Sequence, residues 1–171
     1  MNKNGLEIER KYLIRMPDEG MLARMPLCEI WDIVQTYLMD GPDGSTRRVR
    51  SIASGGHVQY VHTVKRRLSD LSHEEREVEI SREEYERLLA DANPALNAID
   101  KRRYRIPFEG QLLEIDIYRF WNDRATLEIE LESEQQAVVL PPWLQIVREL
   151  TGECAYKNRF LAEKVPMEAL D

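Results

Sequence analysis

The chain has 171 residues, one domain's length and enough to build a substantial core. Its 31 acidic and 24 basic residues give a net charge of −7, which argues against a general nucleic-acid surface, although a basic pocket would hide inside that total. Cys28 and Cys154 stand far apart with no zinc or redox spacing, too few for a disulfide scaffold, and no apolar run approaches the ~20 residues that span a bilayer.

Taken in chain order, Leu6-Glu7-Ile8-Glu9-Arg10-Lys11-Tyr12 predicts a strand with Glu7, Glu9 and Lys11 on one face, because strand side chains alternate sides. Two carboxylates and an ammonium on one face suit a hard divalent metal and the phosphate it carries, although a solvated strand face has the same composition. Residues 17–25 predict a short helix ended by Pro26, and 30–39 a strand leading to the turn Asp40-Gly41-Pro42-Asp43-Gly44. Strands at 45–53 and 57–65 form a hairpin across Ser54-Gly55-Gly56. A polar loop around Ser69 to Ser72 precedes an acidic strand ending at Ser81, which with Glu84 makes a capping box for a helix whose apolar face is Tyr85, Leu88 and Leu89. Asn93-Pro94 breaks that helix. Strands follow at 98–107, 111–120 and 125–133, then a helix from Leu140-Pro141-Pro142-Trp143 to about Leu150, and a helical or mixed segment at 154–164.

The pattern of the first strand recurs. Glu75, Glu77 and Glu79 share a face, as do Glu114 and Asp116, and Glu128, Glu130 and Glu132. Among basic residues, Arg48 and Arg50 share a face, as do Lys101, Arg103 and Arg105, and Lys65 ends a β-rich run. Like charges stacked on one sheet face destabilise it, so something must neutralise them. The opposite faces carry Ile8, Val78, Ile80, Leu113, Ile115, Ile117, Leu127, Ile129 and Leu131, which must be buried, and the helices are available to cover them. About eight strands on short connections are mostly antiparallel. If the sheet closes, the helices pack outside and the charges line the interior; the alternative is an open sheet with a solvated charged face. Closure removes exposed edges and slightly favours the tunnel. His57, His62 and His73 form no i, i+4 pair or zinc motif and read as solvated or structural. With no signal peptide ahead of the charged opening, the expected location is the cytoplasm, with no membrane or nucleic-acid partner.

Glu7-Ile8-Glu9-Arg10-Lys11-Tyr12 resembles the Glu-x-Glu-x-Lys signature of the CYTH superfamily, the triphosphate tunnel metalloenzymes. The resemblance continues through Gln35-Thr36-Tyr37-Leu38, Arg48-x-Arg50, Thr63-Val64-Lys65 and Glu75-x-Glu77-x-Glu79. It extends to Lys101-x-Arg103-Tyr104, Glu114-x-Asp116, Glu128-x-Glu130-Leu131-Glu132, Pro142-Trp143-Leu144 and Tyr156-Lys157-Asn158, nearly the whole chain in order. Length and motif spelling are most similar to the short bacterial members that resemble inorganic triphosphatases. The resemblance implies an α+β fold in one domain over 1–171: a closed eight-stranded antiparallel β-barrel, a tunnel with a charged interior and helices packed outside.

It also implies hydrolysis of a small-molecule triphosphate with Mg²⁺ or Mn²⁺, two ions being expected. Glu7, Glu9, Glu128 and Glu130 would hold metal and, with Lys11, carry the catalysis, with Glu75, Glu77 and Asp116 as further or water-mediated ligands. Lys11, Arg48, Arg50, Lys65, Lys101, Arg103 and Lys157 would grip the phosphates. Tripolyphosphate is the expected substrate. Two departures bear on the phosphate contacts: His73 where relatives often have an arginine, and Asn122-Asp123-Arg124 in place of a glycine-containing turn. Competing readings are a class IV-type adenylyl cyclase, which the same superfamily contains, and a non-catalytic polyphosphate or nucleotide-binding module; a homodimer is left open.

Overall fold

The computed structural model describes residues 8–67 and 73–171, so Glu7 and the loop around Ser69 to Ser72 lie outside the described residues. Nine strands form one sheet: β1 (Ile8–Arg15), β2 (Glu29–Tyr37), β3 (Thr46–Ser54), β4 (His57–Arg67), β5 (His73–Ile80), β6 (Ile99–Phe108), β7 (Gln111–Tyr118), β8 (Arg124–Leu131) and β9 (Ile146–Glu149). Short helices are α1 (Glu19–Ala23), α2 (Arg82–Leu88) and α3 (Asn158–Leu161). The strand order is β5-β4-β3-β2-β6-β7-β8-β1-β9, antiparallel throughout.

Turn chemistry sets the register. Gly55 and Gly56 both adopt positive φ, +57° and +78°, which a two-residue hairpin of the twist-matched type requires, and Ser54 pairs with His57 across them. The β6–β7 hairpin does the same with Glu109 at φ 50° and Gly110 at 72°. Ser81 Oγ accepts from Glu84 N at 3.1 Å and caps α2, while the Glu84 carboxylate pairs with Arg87 at 3.1 Å instead of reaching back to complete the box.

The apolar face is where alternation puts it. Tyr12, Ile14, Tyr104, Ile106, Leu113, Ile115, Leu127, Ile129 and Leu131 form the main core, covered by Leu22 of α1 and by Leu144. Each such side chain, fully buried, contributes roughly 1.5–3 kcal/mol. Tyr85 and Leu88 of α2 cover Leu38, Val49, Tyr60 and Ile80. Val78, expected in the core, is 43% exposed on the edge strand β5.

The expected closed eight-stranded barrel is not formed: the sheet is open, with β5 and β9 as its edges. Residues 146–149, expected in a helix, are the ninth strand and pair with β1 through Tyr12↔Glu149, Leu13↔Arg148 and Ile14↔Ile146. Pro141 and Pro142 contribute no amide donors, and the β-branched Ile146 and Val147 after them favour strand. Over residues 12–14, β9 therefore takes the edge of β1 that closure would need. Closing β5 onto β1 would also bring Glu75, Glu77 and Glu79 alongside Glu9, a like-charge contact that destabilises pairing.

Amide hydrogen exchange distinguishes the two architectures: the β5 amides that point away from β4 should exchange far faster than those of the central pair β6 and β7. Equal protection on both sides of β5 would require a closed ring.

Candidate active site on the charged face

Because residues directly opposite on antiparallel strands share a face, the register places the charges in one array. Across the sheet run Glu75, Glu77 and Glu79 of β5; Thr63 and Lys65 of β4; Arg48 and Arg50 of β3; Gln35 and Tyr37 of β2. The array continues through Lys101, Arg103 and Arg105 of β6, Glu114 and Asp116 of β7, Glu128 and Glu130 of β8, and Glu9 and Lys11 of β1.

Two ion clusters divide it. In the first, Asp116, wholly buried, accepts from Lys101 Nζ at 2.7 Å and from Arg103 Nε and Nη2 at 2.7 and 2.8 Å. Arg103 also donates to Glu114 at 3.0 Å and reaches Glu128 at 3.5 Å, and Lys11 Nζ lies 2.9 Å from Glu128 Oε1. In the second, Arg50 donates to Glu77 at 2.9 Å, Thr63 Oγ1 donates to the same oxygen at 3.2 Å, and Arg48 and Lys65 each stand 3.7 Å from Glu75.

Burial and the neighbouring charges compete over the protonation states. Burial pushes Lys101 down to about 8, against the pull of Asp116. It would raise the Asp116 carboxyl, but Arg103 and Lys101 hold it far below the ordinary carboxylate range. Glu128 follows the same logic: burial opposes ionisation, and Lys11 ahead of Arg103 and Lys101 keeps it low. Arg50 is lowered by burial and then by Arg48.

One end of the face is filled by the C-terminal segment. Tyr156, Leu161 and Ala162 pack with Leu13, Tyr37, Ile99 and Tyr118, and Tyr118 donates to Asn158 Oδ1 at 2.9 Å. Lys157 is exposed on this segment, immediately before α3. Gln35, Tyr37, Thr63 and Arg105 join the array although they were not among the expected site residues. Parity with Lys65 and Arg103 marks Thr63 and Arg105, whereas Gln35 and Tyr37 are placed only by the register of β2 on β3, opposite Arg50 and Arg48.

The chemistry invited by this face is anion and metal binding. Arg48 Nε and Arg50 Nε are buried donors that find no acceptor among the described residues, a penalty that a phosphate oxygen would relieve. The carboxylates are hard oxygen donors suited to Mg²⁺ or Mn²⁺. Glu9 faces Glu130, and Glu114 faces Glu128 with Arg103 reaching both of the latter two, so carboxylates gather at the β7–β8–β1 side. Among the described residues, no group of three or more metal-ligating side chains is gathered into a cluster that could hold an ion.

No protein-family model matches the chain. It is 32% identical over 167 residues to an inorganic triphosphatase from Nitrosomonas europaea, across 94% of this chain and 99% of that protein. The crystal structure of an inorganic triphosphatase is similar at TM-score 0.61 and 29% identity, covering 94% of this chain and 100% of that one. A protein from Pyrococcus horikoshii OT3 shares the fold, with TM-score 0.54 and 21% identity over 75% of this chain and 80% of that chain.

Replacing Asp116 with Asn leaves Lys101 and Arg103 as buried charges without their counter-ion and should destabilise the fold by roughly 3–5 kcal/mol. Denaturant unfolding reads this directly, and a loss below about 1 kcal/mol would show that Asp116 does not neutralise the pair.

Proposed function

The chain belongs to the CYTH superfamily, the triphosphate tunnel metalloenzymes, and from that membership we propose that it hydrolyses inorganic tripolyphosphate with Mg²⁺ or Mn²⁺ on the charged face of its open sheet. The observation that carries this reading is the pair of buried, acceptor-less Nε donors of Arg48 and Arg50 beside an array of hard carboxylates. A solvated strand face has no reason to bury arginine nitrogens without partners.

Glu9, Glu128 and Glu130, joined by Glu7, would hold the metal, with Glu75 and Glu77 as outer ligands. When bound, the metal supplies charge to the phosphate oxygens and lowers the pKa of a coordinated water. The chain's own residues do the rest of the positioning. Arg48 and Arg50 offer planar forks to neighbouring phosphate oxygens, while Lys65 of β4 adds charge on the next strand. Lys11 and Arg103 share Glu128, so a phosphate approaching them meets cations already oriented. Fixed cations cost no reorganisation as charge redistributes on the transferred phosphoryl group. Asp116, with both oxygens engaged by Lys101 and Arg103, serves this reading better as the residue that positions those cations than as a metal ligand. Lys157 adds a cation from the C-terminal segment.

A panel of tripolyphosphate, ATP, thiamine triphosphate and long polyphosphate, followed for phosphate and cyclic nucleotide separately, tests the proposal. Tripolyphosphate should be cleaved fastest, activity should vanish with chelator and return with Mg²⁺ or Mn²⁺, and no cyclic nucleotide should form. Full activity in metal-free protein, or cyclisation of ATP, would contradict it.

A further inference from the structure

We propose that Arg105 sets the substrate class of this site by capping Trp31, so that a bare phosphate chain is favoured over a triphosphate carrying an aromatic group. The inference rests on the reading above, in which the phosphates lie against Arg50 and Arg103.

Trp31 lies on the charged face of β2, directly opposite Arg103 of β6. Its half-buried indole packs against the apolar cluster of Ile33, Ile52 and Val61. A triphosphate held by Arg103 would carry any attached base or heterocycle within reach of that ring, and stacking on an aromatic side chain is the common way such groups are held. In this chain the ring is already occupied. Arg105 Cζ stands 4.2 Å from the indole centroid, well inside the ~6 Å limit for cation–π attraction.

The cap is pinned from two sides. Arg105 Nη1 donates to Glu29 Oε2 at 3.0 Å, and Nε donates to Glu114 Oε2 at 3.1 Å. Glu114 is in turn held by Arg103 at 3.0 Å, so the cap and the phosphate grip belong to one network. An aromatic group seeking Trp31 must displace Arg105 from the ring and from both carboxylates. A bare phosphate chain makes no such demand and gains from an undisturbed cation nearby. Two further rings on this face are covered in the same manner: Lys101 Nζ lies 5.4 Å from the Tyr118 ring centroid and Arg159 Cζ 5.8 Å from that of Tyr37, both rings being buried.

The test is the ratio of kcat/KM for ATP to kcat/KM for tripolyphosphate, measured in one preparation so that the fraction of folded protein cancels. Arg105→Ala should raise the ratio on the order of 10-fold, the size of one base–aromatic stack, and Arg105→Gln, which keeps a hydrogen-bonding side chain, should raise it in the same direction. Adding Trp31→Ala to Arg105→Ala should abolish the gain. An unchanged ratio in both single variants, with the unaltered protein active on tripolyphosphate, overturns this inference alone, as does a gain that survives loss of Trp31. An unaltered protein that cleaves ATP but not tripolyphosphate, or neither, overturns the functional reading and this inference with it.

Discussion

Asp116 is cut off from solvent and accepts hydrogen bonds from Lys101 and from two nitrogens of Arg103. Three ionised groups taken out of water are tolerated only when each finds well-aligned partners, because the desolvation penalty of an unpaired buried charge is several kcal/mol. That condition constrains the register of four strands, β6, β7, β8 and β1. Arg103 must face Asp116, and Arg105 must face Glu114; then Glu114 faces Glu128 and Lys11 faces Glu128. A slip of one residue in β7 would turn Asp116 and Glu114 to the apolar side and strand the cations of β6.

Around this network the sheet arranges its charges by strand. Lys65 of β4 stands beside the acidic β5, Arg48 and Arg50 of β3 reach it across β4, and the basic residues of β6 stand beside the acidic β7, so most neighbours on the face attract. The exceptions are Glu9 opposite Glu130 and Glu114 opposite Glu128, and they fall together at the β7–β8–β1 side. The apolar residues on the other side of the same strands form the main core, so the two faces of the sheet divide apolar packing from ion pairing. The C-terminal segment adds a second apolar cluster at one end of the charged face, burying Tyr37 and Tyr118 and with them the surroundings of Lys101.

Much of this was legible in the sequence because a period of two leaves little freedom. Once Glu9 and Lys11, Arg48 and Arg50, or Glu128 and Glu130 are placed in strands, each pair shares a face, and the apolar residues between them form the core. Closure was not legible. It depends on which edges meet, and the segment that decides it, 146–149, follows two prolines and a tryptophan that read as a helix start. Local pattern could not show that β1 would be flanked by β9. Nor could alternation show which cations meet which acids; only the cross-strand register reveals that Lys101 and Arg103 converge on Asp116. The covering of Trp31 by Arg105 depends likewise on the pairing of β2 with β6.

The assignment of faces is the claim on which the rest stands, and a pair of arginine substitutions tests it most directly. Arg50 lies on the charged face with a buried nitrogen lacking an acceptor, whereas Arg10 lies on the other side of β1 and pairs with Glu149 at 2.7 and 2.8 Å. Steady-state turnover of tripolyphosphate with Mg²⁺ should therefore fall in Arg50→Ala by an amount equivalent to about 2–4 kcal/mol. Arg10→Ala should stay within about twofold of the unaltered protein, a surface change away from the site. Equal damage from both substitutions in folded protein would contradict the assignment.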